Sequence, residues 1–528
     1  MINDDKNIIS KDFSFCYNDF IRVFLGYFDK YKKESFMKRK LCLLLALLMM
    51  LSVAATFASC VKSEGDPSAT TVTTLPQGGD AGNGGVDLFA DLPTGNYEGY
   101  TFQFLNNVSN FAITTIVPED TADSLDAAIF ARNAVVKEKL NVDIVDHRVS
   151  YAEVSSTVRS LTSSNDFEFD AVYNEVYFQT SLAQIGAYLP VSDLTDDINF
   201  DKPWWFAEVM DNIAIDDNGF EMFTDIQLMY YDSICGMVFN HQDFIDNKIT
   251  FPYDMVRAGD WTIEEMEKIM KATYQKPGEV HGAVNAVADF VITMLVASDF
   301  SLVLQDDDEV LKIFDDETRF VEIYTTIKDV FYASNGYDKM NFITVDGGSQ
   351  AAASMNVTGK ASANFGNGTA TFFSGPIGDI RRFRSCEFDY GLIPHPKYDG
   401  DQDQYISMVM KYAASLAIPS TTSDVERTSV ILENLAAYSY DLVRREYYEV
   451  IVQGRMVRDN DSIEMIDIIF GHNDIGATKI ELDTMYNLGL TGEIRKSISD
   501  CVAEIMVNID GVSGTVESNI ETMIEAYK

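Results

Sequence analysis

The residue types from which proteins build metal centres and disulfide frameworks are scarce in this chain. Among 528 residues there are five histidines, six cysteines and three tryptophans. The histidines lie far apart and show none of the spacings typical of metal ligands, so we predict no metal site. They are His147, His241, His281, His395 and His472.

Cysteine usage also excludes a fold built on disulfides. Three cysteines lie within the first 60 residues, at Cys16, Cys42 and Cys60. The other three are odd in number and widely scattered, which leaves room for one bridge but not for a framework. They are Cys235, Cys386 and Cys501.

Basic residues are few relative to acidic ones. The chain has 40 Lys and Arg against 82 Asp and Glu, a net charge of −42. A basic surface of useful size cannot be assembled from this composition, which argues against nucleic acid and anionic lipid surfaces as partners. Hydrophobic residues make up 46% of the chain and aromatic residues 12%, which is typical of a globular protein.

Motifs of known catalytic chemistry are missing as well. Residues 347–351 (GGSQA) lack the second glycine of a nucleophile elbow. Residues 399–403 (DGDQD) begin like a calcium loop, but Gln404 replaces the turn glycine and Met410 replaces the bidentate glutamate. We therefore predict no catalytic residue and no cofactor. A glycosidase-like pair of carboxylates stays open as an alternative, because 82 acidic residues always permit some pair.

Residues 37–60 (MKRKLCLLLALLMMLSVAATFASC) have the order of charge, apolar run and small residues that is typical of a secretory signal. The run is too short for a comfortable membrane span, which needs roughly 20 apolar residues. The ending resembles a bacterial lipobox, in which Cys60 is lipidated and becomes the mature N-terminus, although Phe57 stands where that pattern prefers leucine. An uncleaved signal anchor and a core helix are the alternatives.

The segments on either side of the signal are not expected to belong to the fold. Residues 1–36 are interpreted as a spurious extension from an upstream start codon, with Met37 as the initiator; a genuine cytoplasmic extension is the alternative. Residues 60–87 are rich in Gly, Thr, Ser, Asp and Pro and predict a flexible tether.

From residue 99 onwards, strand and helix patterns alternate. Apolar alternation predicts strands at 99–105, 141–145 and 167–173, with helices between them and after the third. This order implies a parallel α/β sheet, whose ligand-binding loops lie at the carboxyl ends of its strands. Further strands are predicted at 230–240, 359–365 and 412–419. Thr262 with Glu265 predicts a capped helix start, beside a structural Trp261.

The order of these motifs resembles the extracellular solute-binding proteins of ABC importers, in the branch with sugar- and oligosaccharide-binding members. The likeness extends over nearly all of residues 88–510, and its motifs are individually weak. The stretches that carry it are 170–189 (DAVYNEVYFQTSLAQIGAYL), 233–240, 259–262 (GDWT), 359–363, 390–396 (YGLIPHP) and 414–419. Two more, 123–142 and 447–470, resemble a less-studied branch of such lipoproteins.

The resemblance implies a two-lobed, periplasmic-binding-protein-like α/β fold of type II with a helical C-terminal region. Each lobe would hold a mixed, mainly parallel sheet flanked by helices, and strands would cross between the lobes. We expect residues 88–230 and 355–418 in lobe 1, and residues 231–354 and 419–528 in lobe 2.

Site residues follow from the same resemblance, combined with the chemistry of sugar recognition, in which aromatic faces pack on C–H surfaces and amides or carboxylates bind hydroxyls. The family places ligand contacts after a strand, where Asn174, Glu175 and Tyr177 lie, and near the crossover strand, where Asp232 and Ser233 lie. Asn106, Asn367 and Trp204 are further candidates. Trp204 is equally well explained as a core residue.

These inferences predict an ABC importer subunit, lipid-anchored at the outer face of the cell membrane, that captures a sugar or oligosaccharide between its lobes. It would act as a monomer and deliver its solute to the permease. A secreted glycan-active enzyme is one alternative, and a peptide-binding or surface interaction lipoprotein is another.

Overall fold

The structure is a computed structural model that describes residues 88–109, 112–194, 197–214, 219–273, 281–285, 290–301, 303–305, 311–313, 316–331, 362–410, 412–449, 457–470 and 479–481. The predicted signal peptide, Cys60 and the tether lie outside these ranges. The GGSQA segment at 347–351 and Cys501 lie outside them too.

The strands are β1 Tyr100–Asn107, β2 Val142–Val149, β3 Ala171–Glu175, β4 Cys235–Asn240, β5 His281–Asn285, β6 Val303–Gln305, β7 Leu311–Ile313, β8 Ala370–Pro376, β9 Tyr390–Ile393, β10 Ile406–Met408, β11 Ala414–Ala417 and β12 Lys479–Glu481. The α-helices are α1 Ser124–Leu140, α2 Tyr151–Ser164, α3 Val176–Ala183, α4 Ala207–Ile213, α5 Met229–Ser233, α6 His241–Asn247, α7 Tyr253–Ala258, α8 Ile263–Thr273, α9 Phe290–Ala297, α10 Glu317–Phe331, α11 Ile377–Ile380, α12 Val425–Tyr438 and α13 Asn460–Ile469. Short 3₁₀ turns lie at Val191–Asp193 and Arg381–Ser385, and a π-helical segment at Ser439–Arg444.

The first lobe is built on a sheet of order β11-β3-β1-β2. Strand β1 pairs in parallel with β2 and with β3, while β11 pairs antiparallel with β3. Parallel neighbours require crossover connections, and α1 and α2 supply them. Phe102 and Phe104 of β1 are completely buried, so the sheet carries the core of this lobe.

Side-chain caps set where the helices of this lobe begin and end. The Asp123 carboxylate accepts the Leu125 N–H and opens α1, and Asn141 ends it in the left-handed region at φ 53°. Ser150 and Glu153 form a reciprocal capping box at the start of α2. These caps bind backbone N–H groups that a helix start cannot bond internally.

The second lobe is built on a sheet of order β5-β8-β4-β9. Strand β4 runs antiparallel to both β8 and β9, and β5 runs parallel to β8. Trp261 is completely buried beside it, and its indole N–H donates to the Pro394 carbonyl at 3.0 Å, which confirms its predicted structural role.

Within the ranges that the structure describes, we identify three segments that connect the lobes. In the first, Met222 bridges to Leu416 of β11, Ile234 bridges to Val409, and β4 follows at once in the other sheet. The second is the return from β10 to β11. The third joins α12, which packs on α1, to α13, which packs on β9. The predicted two-lobed α/β fold is thus present in the described part of the chain.

Two predicted strands take another form. Residues 230–240 were predicted as one strand, but α5 precedes β4, because an apolar run does not distinguish a buried helix from a buried strand. Residues 362–366, within the strand predicted at 359–365, are helical. Gly368, at φ 71°, then turns the chain into β8, since glycine adopts this left-handed conformation without steric cost.

The strands are shared between the lobes differently from the predicted bounds. Of the residues 355–418 expected in lobe 1, β8 and β9 pair with β4 of the second sheet, and only β11 joins the first. Helix α12, expected in lobe 2, packs on α1 of the first lobe. Register across distant strands decides these memberships, and local patterns do not encode it.

Candidate functional site

The carboxyl ends of β1, β2 and β3 meet at one edge of the first sheet. Tyr151 opens α2 shortly after β2, while Glu175 is the last residue of β3 and Phe178 lies in the helix that follows it. The Tyr151 and Phe178 rings stack with centroids 4.7 Å apart and planes 10° from parallel, and both side chains are only half-buried. An aromatic surface thus lies at the edge where α/β sheets bind ligands.

Glu175 lies three residues before Phe178 in the chain, and Asn174 bonds both its N–H and the Tyr151 carbonyl. It occupies the N-cap of α3, but its side chain makes no capping hydrogen bond, and it is half-buried. Tyr177 lies in the first turn of the same helix, and its side chain is outside the described part of the structure. A carboxylate beside an aromatic face can accept hydroxyl hydrogen bonds while the rings contact C–H groups.

Asn174 supports this edge of the sheet through buried hydrogen bonds. It is completely buried, and its amide donates to the Ser155 hydroxyl at 3.1 Å and to the Tyr151 carbonyl at 3.4 Å. Its side-chain oxygen accepts the Glu175 N–H at 3.0 Å. Asn174 therefore fixes the positions of the residues that carry the aromatic ring and the carboxylate.

Asn106 is also committed to the protein interior. It is completely buried at the end of β1, and its amide donates to the Thr114 carbonyl at 2.7 Å and to Asp146 at 2.9 Å. Asp146 in turn accepts the Ile116 N–H at 2.9 Å. These bonds bind the loop 112–117 rigidly to the first lobe.

Trp204 lies in the core. Its indole N–H donates to Glu433 at 3.0 Å, and the neighbouring Trp205 donates to the other oxygen of that carboxylate at 2.7 Å. Burial raises the pKa of Glu433 even though both indoles stabilise its charge. The packing favours the core interpretation of Trp204, with Phe89 stacked on its ring at 5.8 Å.

Asp232 and Ser233 lie in α5 and are both completely buried. The Ser233 hydroxyl donates to the Met229 carbonyl at 2.7 Å, within the same short helix. Asp232 accepts from Ile113, Arg381 and Tyr447. Burial raises the pKa of Asp232, and the adjacent Arg381 opposes that shift.

Asn367 is exposed and stands apart from the other candidates. It precedes the amino end of β8, whereas the carboxyl end of that strand adjoins the first crossing, where the Ile377 N–H donates to the Ile234 carbonyl at 2.8 Å. Seven strand residues, about 23 Å, separate the two ends.

Sequence reasoning missed Tyr151, Phe178, Arg381 and Tyr447. A signal existed for Tyr151, because it directly follows Ser150, the N-cap of the Ser150–Glu153 capping box, and so begins a helix at a strand end. Arg381 and Tyr447 are 149 and 215 residues from the Asp232 they contact, and no local pattern indicates such pairs.

Three further observations concern the described residues. In the described ranges, no group of His, Cys, Asp and Glu could hold a metal ion. No described helix is long and apolar enough to cross a membrane. The Ser374 hydroxyl lies 2.8 Å from His395 Nε2, but both residues are buried, and burial lowers the pKa of His395 to about 3.

Solved structures share this fold. The sugar-binding protein MalE from Xanthomonas citri matches with a TM-score of 0.53 and 12% identity, over 81% of this chain and 99% of that one. A cyclic α-maltosyl-1,6-maltose binding protein from Arthrobacter globiformis matches with a TM-score of 0.50 and 10% identity, over 80% and 99%. At such identities the likeness establishes the fold and confirms the predicted fold class.

The sequence itself matches a family. No curated protein matches the chain. The family model described as bacterial extracellular solute-binding protein matches residues 118–431, more than half of the chain. This confirms the resemblance drawn from the motifs: the chain belongs to the bacterial extracellular solute-binding proteins.

Proposed function

We propose that this protein is the solute-binding subunit of an ABC importer and that its solute is a carbohydrate, specifically an oligosaccharide. The observation that carries the choice of solute is the stacked, half-buried pair of Tyr151 and Phe178 beside Glu175. Rings of this kind pack against the C–H faces of sugars, and carboxylates accept their hydroxyl hydrogen bonds. The structural relatives from Xanthomonas citri and Arthrobacter globiformis bind sugars, which supports the same choice.

The site is the cleft between the lobes, at the carboxyl edge of the first sheet. Glu175 and Tyr177 are the proposed direct contacts, joined by Tyr151 and Phe178. Asn174 and Asn106 are proposed to act through the loops that they hold, because their amides are already bonded to protein groups. Asn367 and Trp204 are the weakest candidates for solute contact, because Asn367 lies apart from the other residues and Trp204 lies in the core.

The proposed lobe division follows sheet membership. Residues 88–230 and 414–449 would form the first lobe. Residues 235–393 and 457–470 would form the second. The lobes would close about the three crossings, with the bound solute stabilising the closed state.

Attachment through a lipid on Cys60 at the outer face of the cell membrane, and a monomeric state, complete the proposal. An acyl chain holds a protein at the membrane surface while a tether of some 25 residues lets its body move. Mass spectrometry of the native N-terminus tests the lipid, and an unmodified Cys60 would contradict it.

A glycan panel in a thermal-shift assay tests the solute class, and Glu175→Ala tests the site. We expect one oligosaccharide class to raise the melting temperature, and Glu175→Ala to weaken its binding about tenfold or more, since a hydrogen bond to a charged group contributes roughly 1.5–3 kcal/mol.

The matched control is Glu168→Gln, an exposed carboxylate before β3, at the opposite end of that strand. It should leave affinity unchanged. Full affinity in Glu175→Ala would remove Glu175 from the site, and turnover of any glycan would favour the enzyme alternative.

A further inference from the structure

Asp232 lies where all three crossings meet. It belongs to α5 in the first crossing, and the carbonyl of the next residue, Ser233, accepts the Met410 N–H of the second crossing at 2.9 Å. The Tyr447 hydroxyl, which lies between α12 and α13 in the third crossing, donates to Asp232 Oδ1 at 2.7 Å. Asp232 therefore lies in the first crossing, contacts the third through Tyr447, and directly precedes the residue that bonds the second.

Both oxygens of the Asp232 carboxylate accept hydrogen bonds from protein groups. Oδ2 accepts the Ile113 N–H at 2.8 Å and Arg381 Nη2 at 2.5 Å, while Oδ1 accepts from Tyr447. The residue has no exposed surface. A carboxylate so enclosed has its full set of donors without a solute.

The three donors are anchored in different bodies. Ile113 lies in the loop 112–117, which Asn106 and Asp146 bind to the first lobe. Arg381 follows α11, which continues β8 of the second lobe. Tyr447 lies in the third crossing, and its ring packs 5.8 Å from Tyr231 of the first.

We propose that Asp232 is a positioning residue that ties the two lobes in one arrangement and thereby sets how readily the cleft opens. This role rests on the proposed function only in taking the cleft as the solute site. A rotation of the lobes that withdraws Ile113 or Arg381 deprives a buried carboxylate of one of its donors, which is unfavourable. The lobes consequently exchange between discrete arrangements instead of deforming continuously.

The direct test measures the interlobe distance in the solute-free protein. Spin labels on genetically encoded keto amino acids at Ser164 of α2 and Thr325 of α10, both exposed, report this distance by double electron–electron resonance. In the native protein we expect one dominant distance, with any second species at about 10% or less. In Asp232→Asn, which removes the charge facing Arg381, the second distance becomes the major one.

Tyr447→Phe provides a second variant in case Asp232→Asn folds poorly. It removes one hydrogen bond to the same carboxylate and keeps the aromatic ring, and it should raise the second species by a smaller amount.

The matched control is Arg382→Gln. It removes the neighbouring Arg382–Asp379 ion pair, 2.8 Å long, whose two partners both follow β8 in the second lobe. Its distance distribution should equal that of the native protein. An unchanged distribution in both Asp232→Asn and Tyr447→Phe would overturn the proposal, as would an equal change in Arg382→Gln.

Because no solute is present in this measurement, it succeeds or fails independently of the solute class. If the distance distributions change as expected but no glycan raises the melting temperature, the role of Asp232 stands and the proposal of a carbohydrate solute fails.

Discussion

Glu221 shows how burial alone can shift the chemistry of a single residue. Its carboxyl group is buried, and its partners are hydroxyls: Ser415 donates to Oε2 at 2.6 Å, and Thr180 is hydrogen-bonded as well. Burial raises the pKa of Glu221 to about 8, because hydroxyls compensate an ionised carboxylate only in part. The side chain is therefore protonated in the folded protein at neutral pH.

This shift predicts a pH dependence of stability. A glutamate in the unfolded chain has a pKa of about 4.3, so the unfolded state releases the proton first as pH rises. The contribution of the protonated Glu221 side chain to the free energy of unfolding is fully present below about pH 4.3. It is lost progressively as the pH rises to about 8. Chemical unfolding of the native protein and Glu221→Gln at pH 4.5 and 8.5 measures it.

The variant should gain stability relative to the native protein at the higher pH, by a difference on the order of 3 kcal/mol between the two conditions. The control is Glu138→Gln at an exposed position, which measures how removing one surface charge from this acidic chain changes the free energy of unfolding. A constant difference between native protein and Glu221→Gln across this range would show that Glu221 ionises normally.

At the scale of elements, Arg132 joins three segments that are distant in sequence. It lies on α1, is completely buried, and donates to the Ile116 carbonyl at 2.8 Å, the Ile226 carbonyl at 3.0 Å and the Ser439 hydroxyl at 2.8 Å. Burial lowers its pKa to about 10. A planar guanidinium presents five N–H donors in a fixed fork, so it holds its acceptors in a defined geometry that a compact ammonium group does not reproduce.

Arg132→Met should therefore destabilise the protein by about 3 kcal/mol, because it leaves the Ile226 carbonyl and the Ser439 hydroxyl without this donor in the interior, while the Ile116 carbonyl keeps only Asn133. Urea unfolding measures the loss. Arg159→Met, on the exposed face of α2, is the matched control and should change stability by less than about 0.5 kcal/mol. A loss below about 1 kcal/mol in Arg132→Met would mean that water replaces the guanidinium.

The helices and strands also show which parts of the fold could be predicted from the sequence. The alternation at 99–105 is a local signal, and β1 lies where it predicts a strand; the caps at Asp123 and Ser150 are likewise formed by residues adjacent in sequence. The pairing of β8 and β9 with β4 depends on contacts across more than 130 residues, so no local pattern could assign them to the second lobe.

The same limit applies to the candidate site. The position of Asn174 and Glu175 at a strand end could be inferred from the βαβ order, because loops at carboxyl ends host ligands. The stacking of Phe178 on Tyr151 joins two strand ends and became visible only in three dimensions. The enclosure of Asp232 by three crossings could not be read from the chain for the same reason.

At the scale of the whole molecule, two sheets joined by three crossings form a body suited to opening and closing around a solute. The acidic charge of −42 keeps such a body soluble without contributing a binding surface of its own. Membership of the solute-binding family indicates that the molecule captures a solute, and the aromatic edge of the first sheet is the surface proposed to receive it.

Solute capture is decided by calorimetric titration of the purified protein with the oligosaccharide that stabilises it most, followed by chromatography of the recovered sugar. We expect saturation at one site per chain and recovery of the sugar intact, because binding in a single cleft consumes nothing. Absence of saturable binding by every glycan tested, or recovery of a shortened sugar, would contradict the account.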